Sequence, residues 1–166
     1  MELPGSGYFY AIATISMAFV GFTAIVVVLR QGMGKRLLPL HVLFTSLFVE
    51  LGLMATAFAI LAPTLAICGI SEHLAWKISS VIMLAVLVPW LLTYPKRRKK
   101  AAPKERLPLR WYVMTTLGIG VVIALFLNVV GLAFNTVPGP LAVAALYVLS
   151  YAAVAFLGTY SSFVRE

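Results

Sequence analysis

The chain has 166 residues, 62% of them hydrophobic and 11% charged, with a formal net charge of +8 and a mean hydropathy of +1.02. Soluble domains are roughly 45–50% apolar and about 25% charged, so this composition excludes a soluble globular domain and makes lipid part of the solvent. There is no Asp and only one Cys, Cys68. That removes an intrachain disulfide, a CxxC redox pair, Asp-based metal sites and a Ser-His-Asp triad.

A helix needs about 20 apolar residues to cross the hydrocarbon core. Five continuous runs meet that length: 8–29, 40–67, 74–94, 111–134 and 140–163. They are too long and too unbroken for barrel strands of about 10 residues. The expected fold is all-α: one polytopic transmembrane helical bundle over 1–166, with five spans and almost no mass outside the membrane.

The first run follows Met-Glu-Leu-Pro-Gly-Ser-Gly, which has no basic stretch, and it is longer than a signal-peptide core. It is read as a retained helix. At 100° per residue, Ala11, Thr14, Ala18 and Gly21 form a narrow small-residue stripe, expected to pack against a neighbouring helix. A short Gly-containing connection carrying Lys35 and Arg36 leads to the second run.

The second run has two distinct sides. Thr45, Gly52, Thr56, Ala59 and Pro63 share one, with His41 at its inner end; Ser46, Glu50 and Ala57 lie roughly opposite. Such a helix is expected to be central. It is either surrounded by its own subunit, or set between the bundle and a partner subunit or aqueous path.

Glu50 is the only acidic residue inside any run. It lies near the midplane, about 15 Å deep at a rise of 1.5 Å per residue. An acidic residue there costs about 2.5–3.5 kcal/mol on insertion scales, and it is tolerated when protonated, paired or wet. Ser46, one turn away, can donate a hydrogen bond to it. Two readings stand. Glu50 and Ser46 form a proton- or cation-binding site on a permeation path, or Glu50 is a polar clamp bonded to Asn128 or to a Thr or Tyr hydroxyl. No basic residue sits at the same depth, because Lys77 near the start of the third run snorkels outward. An ion pair is therefore not expected.

Cys68 falls in a tight turn at 68–73 and reads as a small residue near a helix end. His41 and His73 sit at opposite membrane faces, so they do not jointly hold a haem or a metal. Pro63 and Pro89 can kink the second and third helices. Tyr8, Tyr10, Trp76, Trp90, Tyr94, Trp111, Tyr112 and Tyr160 fall near span ends. They read as the aromatic belt of the two interfaces, without a ligand role.

The connection 95–110 is the one sizeable loop, broken by Pro95, Pro103 and Pro108. Its basic residues, with Arg30, Lys35, Arg36 and Arg165, all fall on one side of a five-span chain, and only Lys77 falls on the other. The positive-inside rule then places the N-terminus out and the C-terminus in. The run 96–100 is read first as this topogenic signal. Arg97, Arg98, Lys99 and Lys100 are candidates for contact with anionic lipid headgroups, at about 1 kcal/mol per basic residue. No aromatic platform for bases accompanies them, so nucleic acid is not an expected partner.

In the fourth run Thr116, Gly120, Ala124, Asn128 and Gly131 form a second packing stripe; in the fifth, Ala144, Tyr151, Ala155 and Gly158 form a third. No internal repeat supports an inverted-repeat transporter.

The chain contains no glycine-rich phosphate loop, HExxH or paired-His haem pattern. It is read as neither an enzyme nor a cofactor protein. The leading expectation is a small integral membrane protein forming a homo-oligomeric ion or proton channel, or transporter-like pore, with a ring of Glu50 carboxylates. The alternative is a non-catalytic accessory or assembly subunit docked onto a larger membrane complex. Compact loops without a eukaryotic targeting segment favour the bacterial inner membrane.

Overall fold

A computed structural model describes residues 3, 5–32, 39–101, 103, 109–132 and 137–164, with side chains except at 30, 31, 39–41 and 158–164. Lys35, Arg36, Lys104, Arg106 and Arg165, whose charges bear on orientation, lie outside the described residues, as do the side chains of Arg30 and His41 and the burial of Gly158.

The described residues form five helices: α1 (Ser6–Gly32), α2 (Pro39–Ile67), α3 (Glu72–Ala101), α4 (Leu109–Val130) and α5 (Pro138–Val164). All five are long and apolar enough to span a membrane. The protein is thus an all-helical bundle compatible with a small integral membrane protein. The apolar runs locate every helix, but α3 extends seven residues past the end of its run. Pro95 lies inside it, and Arg97 and Arg98 are helical rather than part of a loop.

Glycines set two of the helix stops. Past the end of α2, Gly69 takes a φ of +86°. Its N–H bonds the Ala66 carbonyl at 3.0 Å, and the Ile70 N–H bonds that of Leu65 at 3.1 Å. These are the two paired bonds of a Schellman stop. Gly131 ends α4 with a φ of +76°. It is exposed, so it serves the turn and not the packing stripe assigned to it.

α2 is the central helix. It packs most extensively on α5 and α1, then on α3, while α4 closes the bundle against α3 and α5. Between α2 and α5 the residues are small or aliphatic: Ala55, Ala59 and Ala62 from α2 and Ala144, Ala145 and Val148 from α5 are fully buried. Lipid is as apolar as these side chains, so association depends on close backbone approach and dispersion contacts. Two glycines mark the closest approaches. A methyl group on Gly52 would overlap the Val20 side chain of α1, and one on Gly118 of α4 would overlap the Tyr147 hydroxyl of α5.

The packing stripes are partly redrawn. On α1, Ala11, Thr14, Ala18 and Gly21 are exposed; the inward face is Phe9, Ile12, Ala13, Ser16 and Thr23. This mixed face packs on α2, and the small stripe is left on the outside of the bundle. On α4, Gly120 is exposed and Ala124 half-buried, and Asn128 alone of that stripe is buried; Gly118, Val121 and Leu125 make the inward face. Ala144, Tyr151 and Ala155 of α5 are buried, as is Gly52 of α2, while Thr56 is half-buried and bonds the Gly52 carbonyl in its own helix.

Candidate functional site

Glu50 stands on the outward side of α2, in a row with the exposed Val42, Leu53, Ala57 and Ile60. The position is not left open. From α3, Arg97 grips the carboxylate through two hydrogen bonds, Nη1 to Oε2 and Nη2 to Oε1, both 2.6 Å. The Trp90 indole N–H donates a third, at 3.2 Å to Oε2. Two parallel guanidinium–carboxylate bonds are the strongest neutralising geometry available to a carboxylate.

This overturns the expectation that Glu50 has no ionic partner. Arg97 begins at a different depth. α2 and α3 run antiparallel, and Trp90 is the α3 residue level with Glu50. Arg97 is seven positions further on, about 10 Å along the axis. Every side chain on a helix leans toward that helix's N-terminus. Arg97 therefore leans toward the membrane interior and Glu50 toward the basic end, and the two long side chains close the gap between them. A Lys on its flexible stem would supply a point charge in place of this planar fork.

Ser46 does not join the cluster. Its hydroxyl donates to the Leu43 carbonyl of its own helix at 2.9 Å. Nor does Asn128 clamp Glu50. It is fully buried at the opposite end of the bundle, where its amide donates to Ser80 Oγ at 3.3 Å and its carbonyl oxygen accepts the Val137 N–H at 3.2 Å.

The four proposed headgroup residues separate into different roles. Lys99 and Lys100 are exposed at the end of α3. Arg97 is committed to Glu50. Arg98 is buried, with its guanidinium 5.8 Å from the Phe44 ring centroid, a cation–π distance.

The interfacial belt also divides. Trp76, Trp90 and Tyr94 are buried, and the last two join a ring cluster shared by three helices. Trp90 stacks with Tyr94 at 5.9 Å between centroids, and Tyr94 with Trp111 at 6.3 Å. Tyr151 meets Trp90 edge-on at 5.4 Å. Behind this cluster lies a narrow cleft, part of it open to the outside, lined by α2, α3, α4 and α5. The side chains with polar groups in its lining are Trp90, Tyr94, Arg98, Arg110, Trp111 and Tyr151. The Trp111 Nε1 and Tyr151 hydroxyl are buried there without a well-formed hydrogen bond among the described residues.

Sequence spacing did not bring these rings together, because Trp90, Trp111 and Tyr151 lie on three different helices. The available signal was periodic: Trp90, Tyr94, Arg97 and Arg98 recur at helical spacing, on one face if α3 continues through Pro95. Among the described residues no group of three or more His, Cys, Asp or Glu side chains is placed to hold a metal ion. Comparison of the chain with family models, curated proteins and solved structures finds no match.

Proposed function

We propose that this protein is a non-catalytic accessory component of the membrane, docking through its helix faces, with Glu50 as an internal clamp between α2 and α3. The observation that carries the reading is the neutralised carboxylate. Two guanidinium bonds at 2.6 Å and one indole bond at 3.2 Å occupy Glu50 inside a single subunit. An acidic ring that attracts cations needs carboxylates that are not already neutralised. The small-residue stripe on the outside of α1 adds support, since such stripes let a second helix approach closely. An orientation with the basic end inside, in a bacterial inner membrane, accords with this reading.

Ion and proton flux in liposomes, measured for the wild type beside Glu50→Gln, tests it. The expected result is no flux above empty liposomes for either protein. Flux that falls with the substitution while the fold is retained would overturn the accessory reading.

That outcome would favour the second reading, an oligomeric pore. One observation speaks for it. The Arg97 and Glu50 side chains remain 36% and 38% exposed, so the pair can be reached from outside the bundle, and a second copy seated there would enclose it.

A further inference from the structure

We propose that the cleft between α2, α3, α4 and α5 is a binding site for one acidic membrane lipid, holding its phosphate headgroup at the basic end of the bundle. The proposal is independent of the docking role given above.

Tyr151 is 5% exposed, yet its hydroxyl makes no well-formed hydrogen bond among the described residues, its polar neighbour being the Tyr94 hydroxyl of the same lining, and the buried indole nitrogen of Trp111 makes none either. Both residues line the same cleft. A buried donor left unmade costs about 1–3 kcal/mol, and native proteins keep such groups few. Two in one cavity mark a place where an acceptor belongs.

The rest of the polar lining fixes the charge of that acceptor. The indole N–H can only donate, and the two charged residues lining the cleft, Arg98 and Arg110, are both cationic. Among the described residues no carboxylate lines it; Glu50 is turned to Arg97 and Trp90. A lining of described residues with two cations, hydroxyl and indole donors and no acid describes a receptor for an anion with several acceptor oxygens.

Position and wall fix the class. Arg110 is in the first turn of α4 and Arg98 in the last turn of α3, the depth at which lipid phosphates lie if both helices span the bilayer. The remaining wall is aromatic and aliphatic, suited to glycerol and the upper acyl chain. A free phosphate would satisfy the donors but leave that wall uncovered.

The test uses the full chain in phosphatidylcholine nanodiscs containing small fractions of phosphatidylglycerol brominated on its acyl chains, read by tryptophan fluorescence. Trp90 and Trp111 line the cleft, and Trp76, at the opposite end of α3, is replaced by Phe in the parent protein. Saturable quenching at low brominated phosphatidylglycerol, absent with brominated phosphatidylcholine at the same fractions, is the expected result. Tyr151→Phe with Arg110→Gln raises the half-saturating fraction by about tenfold or more, the effect of losing hydrogen bonds to a charged group.

Tyr151→Phe also separates a ligand site from an idle cavity. Without acidic lipid it deletes only an unmatched hydroxyl, so the melting temperature holds or rises. With acidic lipid, the stabilisation that lipid gives the wild type is reduced. Equal quenching by both lipids, or a double variant that keeps its helicity and the wild-type curve, would overturn the proposal. Displacement of the brominated lipid by millimolar inorganic phosphate would overturn it in favour of a free-anion site.

Discussion

Arg97 and Glu50 face each other across α2 and α3 through two bonds of 2.6 Å, although their positions along the helix axes differ by about two turns. A pair of this geometry removed from water on one side lies between two energetic regimes. Breaking a buried pair costs about 3–5 kcal/mol, and an exposed pair contributes about 0–1 kcal/mol. With both side chains more than one-third exposed, a double-mutant cycle of Arg97→Gln and Glu50→Gln is expected to give a coupling of about 1–2 kcal/mol. Arg97→Gln is the costlier single change, because Glu50 is too short to reach a headgroup. The Arg97 side chain freed by Glu50→Gln can swing toward the basic end. Unfolding in detergent at matched micelle concentration measures all four proteins, and additive single effects would contradict the pair.

Gly52 is where α1 and α2 come closest. Gly52→Ala is expected to cost about 1–3 kcal/mol, the range for inserting a methyl group into a filled core, because the β-branched Val20 that it meets has few rotamers to move into. Val20→Ala in the same chain clears the overlap and is expected to recover most of the loss. Unfolding midpoints of the single and double variants check this, and a Gly52→Ala protein as stable as wild type would show that the seam is looser than described.

Gly118 behaves differently, because its neighbour is the end of a side chain that is also bonded. Tyr147 donates its hydroxyl to the Met114 carbonyl at 2.9 Å. Gly118→Ala pushes that hydroxyl away and is expected to destabilise the bundle by about 1–2 kcal/mol. Tyr147→Phe alone is expected to cost about 1 kcal/mol. In Tyr147→Phe the added Gly118→Ala meets less resistance, so the two effects are less than additive, as unfolding of the three variants will record.

The sequence made the helices legible because hydropathy acts over 20 residues and needs no knowledge of neighbours. It made Glu50 conspicuous for the same reason: a carboxylate within an apolar run is a local fact. Its partner was not local. Assigning depth from each Cα separated Glu50 from every cation, whereas opposed side-chain lean on antiparallel helices brings Arg97 back to it. Pro95 hides the pairing as well, since a proline that usually ends a helix here sits within α3, and from sequence the residues after it read as a loop. The α1 stripe failed for another reason. Small residues at regular spacing identify a face open to close approach, but they do not say whether the approaching helix belongs to the same chain. The α2 face of Gly52 pointed inward and the α1 face of Gly21 outward, with similar spacing on both.

Asn128 joins three helices at the end opposite the arginine cluster, through Ser80 of α3 and the Val137 N–H before α5. Interhelical hydrogen bonds in membranes average about 0.6 kcal/mol and reach about 1.7. Asn128→Ala is expected to cost about 1 kcal/mol, with the loss felt first where α5 begins. Amide hydrogen exchange at Val137 and over 141–145 should accelerate before that of α2, and uniform acceleration would argue that Asn128 holds the whole bundle and not this end of it.

The exposed stripe of α1 yields the converse expectation. A Cβ added at Gly21 meets nothing within 4 Å, and Ala18 and Thr14 lie on the same outward face. Bulky substitutions there, such as Gly21→Leu or Ala18→Leu, are expected to leave the unfolding of the purified subunit within about 0.5 kcal/mol of wild type. If the stripe docks another helix, the same substitutions block close approach. In membranes, Ala18→Cys in a Cys68→Ser background is then expected to cross-link to a neighbouring polypeptide, and Gly21→Leu to abolish the cross-link. Together these measurements separate a docking surface from a lipid-facing one, because lipid adapts to an added isobutyl group and a packed helix does not. Cross-linking that is absent from the start, with stability unchanged, would assign this face to lipid and remove the main support that α1 gives to the accessory role.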